Sequence, residues 1–456
     1  MSATTGQAAA PPAGTDRWSL VAVAGMLSFV AMLDMNIVNI ALADIGKGFH
    51  ISAQTAQWAV LGYQLPLVAL LLPAGRWLDA VGTRSALLTA VTGFALGSAA
   101  TAAAPWAGAL IAARVVQGAF GAVLFVLMPV LAMRSVRPEL RGRAMSVPAT
   151  LGPLGAVTGP ALGGLLLDHL GWRAIFLVKL PVCLGAWLLA RRHVPRSGAL
   201  VKPGRAEFTD AALIGGAVCA VLLGLTFTAD APAWLLLAAP AVPLTALWLR
   251  RAGGQPVRSV LRANRTAGLN TAVLAIALAF AVMHYLLALH LQRDEAASAT
   301  ATGLTILCFP LAMGIGGPFG GRLADRFGAR PTATAGATLT ALGFLLLVPL
   351  GDTWSLPDIA WRLALAGAGM GLYGGPTQAM VMTSATPATT ATAASTVQLA
   401  RSLGFTLGPA LATATWSLGG SGTGGLHLGL GLAAACACLA VPLLARHGRA
   451  THTQAV

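Results

Sequence analysis

Long apolar runs separated by short polar breaks fill the chain from residue 18 to residue 445. They lie at about 18–42, 54–74, 85–104, 107–133, 144–167, 173–190, 210–228, 233–249, 267–291, 302–320, 332–350, 360–383, 394–417 and 425–445. At 1.5 Å per residue, runs of this length are what a helix needs to cross roughly 30 Å of hydrocarbon. A barrel strand needs only about ten alternating residues, and these runs do not alternate. The pattern predicts an all-α polytopic membrane protein with fourteen transmembrane helices.

The breaks carry a repeat. Gly75-Arg-Trp-Leu-Asp79-Ala-Val-Gly82-Thr-Arg84 follows the second run, and Gly321-Arg-Leu-Ala-Asp325-Arg326-Phe-Gly328-Ala-Arg330 follows the tenth. Two copies eight helices apart imply two six-helix halves with a two-helix insert between them. Parallel halves of this kind are a transporter architecture. The expected organisation is an N-terminal tail (1–16), an N-terminal half (17–192), linkers and insert (193–266), a C-terminal half (267–446) and a C-terminal tail (447–456). The basic segments 191–208 and 250–266 read as the linkers. In each repeat the glycines permit a tight turn, and the aspartate can pair with an arginine or cap a neighbouring helix.

Composition and charge sharpen this picture. Of the 456 residues, 56% are hydrophobic and 9% charged, and mean hydropathy is +0.76, which excludes a soluble domain. The net charge of +15 does not indicate nucleic acid, because the basic residues sit in short clusters between apolar runs. With both termini in the cytoplasm, Arg76/Arg84, Arg134–Arg143, Arg191–Arg205, Arg250–Arg265, Arg322–Arg330 and Arg446/Arg449 all fall inside. Asp44, Asp168, Asp230, Asp294, Glu295, Asp352 and Asp358 fall outside. That asymmetry sets the orientation. The five cysteines lie inside apolar runs and suggest neither disulfides nor a metal site. No cleavable signal pattern precedes the first run.

Candidate chemistry starts with Asp34, about halfway along the first run. A carboxylate at that depth costs about 2.5–3.5 kcal/mol to insert, so it must face a cavity or a partner. Asn36 and Asn39 follow it as candidate cavity residues. In the fourth run Arg114, Gln117, Gly118 and Gly121 share one helical face, and Arg114 needs an acid or carbonyls. Asp34 is its natural partner. In the fifth run Gly155, Gly159 and Gly163 form a smooth stripe on one helical face and Pro160 can bend the helix; with Gly164 the string is a candidate hinge. Gln398 and Arg401 form a second inward polar stripe with Gly404 and Gly408, and His284 and Tyr285 are further cavity candidates. Asp-x-x-Asp and His-Glu-x-x-His patterns are absent, which argues against a membrane enzyme.

From residue 17 to 445 the chain resembles the fourteen-helix drug:proton antiporter family of the major facilitator superfamily. The resemblance is carried by Leu33-Asp34 through Ala41, the Asp79 and Asp325 loops, Arg114-Val-Val-Gln117-Gly118 and Gly155–Gly164. Gly171-Trp172-Arg173 to Pro181, His290-Leu291-Gln292 and the Arg401 stripe contribute further. It implies proton coupling through Asp34 and Arg114, a hinge and seal at Gly155–Gly164, and state-stabilising loops at Asp79 and Asp325. The first loop has Ala80 and Thr83 where basic residues are usual, so the second copy is expected to be the stronger latch. Family exporters of organic cations often carry more membrane acids than Asp34 alone, which disfavours a dicationic substrate.

The resulting expectation is a multi-pass, monomeric, proton-coupled antiporter in the bacterial cytoplasmic membrane. It would export amphipathic drugs or antibiotics, a self-made natural product among them, with the proton gradient as energy source and no cofactor or metal. A facilitator or proton symporter on the same fold is the alternative.

Overall fold

Every regular element among the described residues is helical. The computed structural model describes residues 16–195, 201, 204–227, 232–263, 266–293, 299–350, 354–420 and 422–446. Most of the two expected tails lies outside them. So do Arg196, Lys202, Arg265, Arg449, Asp230, Asp294, Glu295 and Asp352.

The first helices are α1 (Trp18–Phe49), α2 (Ala53–Ala80), α3 (Thr83–Ala102), α4 (Ala107–Arg134), α5 (Arg141–Leu170), α6 (Ala174–Leu177) and α7 (Leu180–His193). Then come α8 (Arg205–Phe227), α9 (Ala241–Arg250) and α10 (Gln255–Arg262). The last six are α11 (Thr266–Arg293), α12 (Ala299–Phe327), α13 (Ala329–Leu347), α14 (Leu356–Thr383), α15 (Thr390–Leu418) and α16 (Thr423–Ala445). Ten helical spans among the described residues are long and apolar enough to cross a membrane, with α6 and α7 together making one of them. The long helices α13, α14 and α15 are richer in Gly, Ala and Thr, and they bury those small residues against one another and against α11, α12 and α16.

Two expected runs are not single helices. The 173–190 run breaks at Val178–Lys179 between α6 and α7, where Pro181 opens the new helix. The 233–249 run is a 3-10 stretch, Pro232–Ala238, followed by the ten-residue α9. Pro232, Pro240 and Pro243 each lack the backbone donor that a continuous helix requires. The segment expected to be a plain linker at 250–266 contains α10, which buries Val257 and Val260, half-buries Arg258 and exposes Arg262.

The hydrophobic cores are arranged by half. One lies mainly among α1–α7 and another among α11–α16. A smaller core joins Leu72 of α2 to Ile214, Trp248 and Val257 of the insert. Arg76 of α2 pairs with the buried Asp210 of α8, and a methyl at Gly215 would lie 3.5 Å from Ala69. Because α8 and α10 also touch α15, the insert sits across the line where α2 meets α15. The start of α1 is tied down by Asp16, which accepts from the backbone N–H of Arg137 at 3.0 Å.

Candidate functional site

Asp34 is fully buried in the middle of α1, and two cations share its carboxylate. Arg114 donates from Nη1 to Oδ2 at 2.8 Å, and the Lys179 ammonium lies against Oδ1. Gln117 completes the group, accepting from Arg114 at 2.9 Å and donating to Asp34 Oδ1 at 3.4 Å. The Nε of Arg114 donates to the carbonyl of Ala59 in α2 at 2.8 Å. Arg114, Gln117 and Lys179 are all 0% exposed. Charges in such surroundings persist only when paired, and both cations here have the Asp34 carboxylate, while the buried Tyr63 hydroxyl is left without a hydrogen-bond partner. Tyr63 lies under the guanidinium at 4.3 Å, and Phe176 and Phe94 lie 5.1 and 5.9 Å from Lys179 Nζ.

The glycines of α4 make this packing possible. A methyl at Gly118 would strike Pro66 at 2.9 Å, and one at Gly121 would lie 3.1 Å from the Tyr63 hydroxyl. The motif therefore has two functions on one face: Arg114 and Gln117 hold Asp34, and the glycines admit α2 with its aromatic ring.

Helix α5 runs along α1 through its glycine stripe. A methyl at Gly155 would sit 2.9 Å from the Phe29 carbonyl carbon, and one at Gly159 would sit 3.2 Å from Asn36 Cβ. A methyl at Gly163 would meet Ile37 at 2.9 Å, whereas Gly164 has nothing within 4 Å. The Pro160 side chain lies outside the described residues, although its backbone is part of α5. Asn36 bonds its own helix at the Met32 carbonyl (2.8 Å), and Asn39 is exposed, with a longer bond to Met35 (3.4 Å).

At the end of the bundle that holds the basic loops, two carboxylates cross between the halves. Asp79 of α2 accepts from the backbone N–H of Ala391 (2.8 Å) and Thr392 (2.9 Å) and from the Thr392 hydroxyl (2.6 Å). Asp325 of α12 accepts from the N–H of Gly142 (2.8 Å) and Arg143 (3.2 Å), with the Arg143 guanidinium 3.4 Å away. Each carboxylate thus caps the first turn of a helix in the opposite half, α15 for Asp79 and α5 for Asp325. Unpaired N–H groups and the helix dipole both favour an anion there.

The repeat glycines serve this contact more than a turn. Gly75 and Gly321 lie inside helices, where methyls would come 2.7 Å from Ser395 Cβ and from the Gly142 carbonyl, respectively. Gly82 caps α3 with φ −62°, and only Gly328, at φ +95°, needs a glycine backbone. The first copy's carboxylate accepts three hydrogen bonds, from two backbone amides and a hydroxyl, whereas the second accepts two and adds the Arg143 ion pair. Arg84 donates to the Arg191 carbonyl within its own half (2.7 Å), Arg326 is exposed, and Arg330 edges an outer surface depression with Pro331 and Thr334.

The second polar stripe lies between the halves. Gln398 of α15 donates to the carbonyl of Phe125 in α4 at 3.1 Å. Arg401 follows one turn later on the same face, half-buried, with the Tyr373 hydroxyl as its electrostatic neighbour. It forms no ion pair with a carboxylate among the described residues. Phe405, a further turn on, packs against Phe280 (5.7 Å between centroids), which also carries the exposed His284 ring (5.4 Å). Tyr285 is exposed beside it. Arg401 therefore belongs to a separate cluster from Asp34, on the face that looks across to the other half.

Lys179 is the residue sequence reasoning passed over. It falls inside an apolar run expected to span the bilayer, so the depth rule that singled out Asp34 applies to it equally. Tyr63 and Phe176 carried no such signal, being ordinary apolar-run aromatics.

Two helical halves, a buried charge cluster in one of them and reciprocal capping contacts between them define a membrane transporter rather than an enzyme. The sequence model of the Major Facilitator Superfamily matches residues 24–283 and 267–455. The multidrug resistance protein Stp of Mycobacterium tuberculosis is 32% identical over 397 residues, covering 84% of this chain and 73% of that protein. The probable actinorhodin transporter of Streptomyces coelicolor is 31% identical over 444 residues, covering 91% and 75%. Among solved structures, a bacterial homologue of the iron transporter ferroportin superposes with a TM-score of 0.67 at 16% identity, over 94% of this chain and 98% of that one, a likeness of fold alone. The chain belongs to the major facilitator superfamily and, within it, to the drug-efflux family.

Proposed function

We propose that the protein is a proton-coupled antiporter that exports amphipathic drugs or antibiotics, a self-made natural product among them, by alternating access. The observation that carries this reading is the buried Asp34 carboxylate shared by Arg114 and Lys179. A proton on Asp34 removes the one negative charge in the cluster and leaves two cations facing each other out of water. That state is costly, so the surrounding helices must rearrange to admit solvent or a counter-charge.

Helix α5 is suited to transmit the change. Its middle lies against α1 beside Asp34 through Gly155, Gly159 and Gly163, and its first turn is capped by Asp325 of the other half. A shift of α1 along that smooth seam therefore bears on the contact that holds the halves together. A switch of this kind needs two states of similar energy, and proton binding to one of them moves the population.

In this reading the chain spans the bacterial cytoplasmic membrane fourteen times as a monomer, with both termini inside. The broken segment 232–250 makes one of the crossings, helped by the longer rise of 3-10 structure. The halves keep the boundaries 17–192 and 267–446, with 193–266 as linkers and insert. The capped end is then cytoplasmic, and the arrangement is closed to the cytoplasm. Asp79 and Asp325 hold that state, while Gln398, Arg401 and His284 line the path between the halves.

The test is pH-gradient-driven transport in proteoliposomes across a panel of lipophilic antibiotics, with Asp34→Asn alongside. The expected result is gradient-dependent movement that falls at least tenfold in Asp34→Asn, with membrane insertion unchanged. Full coupled transport by Asp34→Asn would remove this carboxylate from the mechanism.

A further inference from the structure

The interior of the bundle holds more positive charge than its own acids can balance. Away from the two ends, the described residues place three cations, Arg114, Lys179 and Arg401, against the single carboxylate of Asp34. Arg114 and Lys179 already share that carboxylate. Arg401, on a different helix in the other half, is left without one, and a charge at membrane depth without a counter-ion is unfavourable.

The surroundings of Arg401 contain further unmet polar capacity. The Tyr373 hydroxyl, the guanidinium's electrostatic neighbour, is buried, with Thr377 one turn on as its side-chain partner. Gln398, one turn before Arg401, is 5% exposed and bonds only through its amide nitrogen, leaving its oxygen unpaired. Native proteins seldom leave such groups unsatisfied unless water, an ion or a ligand completes them. The free Gln398 oxygen is an acceptor and takes a water or a donor, not the anion; beside the Arg401 and Tyr373 donors stands an aromatic wall. Phe405 lies one turn beyond Arg401, and Phe280 joins it to Phe309 at 4.8 Å and to His284 at 5.4 Å. Donors that favour negative charge beside a bank of rings describe a site for a molecule with an acidic group and an apolar body.

We infer that the cargo is an amphipathic organic anion, its acidic group held by Arg401 and Tyr373 and its apolar body lying on Phe405, Phe280 and His284. This inference rests on the exporter reading above and adds the charge of the substrate to it. Asp34 and Lys179 take no part in the anion site. The fixed positive charge of Arg401 disfavours a cation in the same place, so the site selects by repulsion as well as attraction.

The probes are pyrenebutyrate and pyrenebutylammonium, which share one apolar body and carry opposite charges. Binding to the full-length protein in detergent is followed by pyrene fluorescence. The expected result is that the carboxylate binds at least tenfold more tightly than the ammonium. Arg401→Gln removes that difference, Arg401→Lys keeps most of it, and Tyr373→Phe weakens the carboxylate a few-fold. Should Arg401→Gln fail to fold, Arg401→Lys and Tyr373→Phe with the two probes still decide the question. Equal binding of both probes, tighter binding of the ammonium, binding of neither, or indifference to Arg401 and Tyr373 would overturn the inference. The assay involves no proton gradient, so its failure leaves gradient-driven export standing. Loss of gradient drive with retained carboxylate binding removes only the exporter reading.

Discussion

One carboxylate between two cations is an unequal arrangement, and its consequences fall on the three side chains separately. Removing Asp34 strands both Arg114 and Lys179 in a dry interior, whereas removing Lys179 leaves a balanced Asp34–Arg114 pair. Breaking a buried pair by deleting one partner costs about 3–5 kcal/mol, most of it from the charge left behind. Asp34→Asn is therefore expected to lower the thermal midpoint of the purified protein by several degrees. Lys179→Gln alone should change it little, and the double variant should recover more than half of the loss. Simple additivity of the two single changes in a melting series would show that the ammonium and the carboxylate do not interact. Asp34 and Arg114 were legible in the sequence because a charge inside an apolar run has few places to go. The same rule makes Lys179 legible, but the rings of Tyr63 and Phe176 that surround the pair emerge only from packing.

Helix α5 shows why a glycine motif read as a unit resolves into unequal positions. At Gly155 a methyl would collide with the backbone of Phe29, which cannot turn aside, while Gly164 faces open space. Gly155→Ala is expected to force α1 and α5 apart, to cost about 1–3 kcal/mol as overpacking does, and to reduce transport at least tenfold. Gly164→Ala should leave transport unchanged and stabilise the helix by up to about 1 kcal/mol, because alanine is the better helix former. Equal behaviour of the two variants in transport and thermal-melt measurements would mean that the stripe does not pack as a seam. The spacing of the glycines was visible in the sequence. Which of them face α1 depends on how the helix is rotated, and that is set by the neighbours.

At the scale of the whole molecule, two carboxylates hold the halves together at one end, each by capping a helix of the other half. Asp79 reaches residues 312 and 313 positions further along the chain, and Asp325 reaches back 183 and 182. Hydrogen bonds to a charged group are worth about 1.5–3 kcal/mol each, so in the alternating-access mechanism proposed above the loss of either cap is expected to shift the equilibrium between closed and open by roughly tenfold or more. Hydrogen exchange reads this directly at the first-turn amides of α5 and α15. Asp79→Ala is expected to speed exchange at residues 142–143 as well as at 391–392, because both caps close the same gap. Faster exchange confined to 391–392 would make each aspartate a local cap and not part of a shared latch. The insert belongs to this scale too, since it packs across the line between α2 and α15 and not as a free appendage.

By itself the sequence determined the helical class, the halves implied by the duplicated Gly75–Arg84 and Gly321–Arg330 loops, and the need of Asp34 and Arg114 for partners. These follow from the cost of placing polar groups in hydrocarbon, which acts locally and leaves its mark on run lengths and charge positions. Tertiary structure decided what each group met. It gave Asp34 a second cation, it gave both repeat aspartates helix N-termini of the opposite half, with an arginine added only for Asp325, and it set Arg401 apart facing the other half. It also broke the 233–249 run into two pieces at its prolines. Contacts between residues hundreds of positions apart depend on helix rotation and crossing, and these are fixed by the packing of many side chains at once, which no single stretch of sequence encodes.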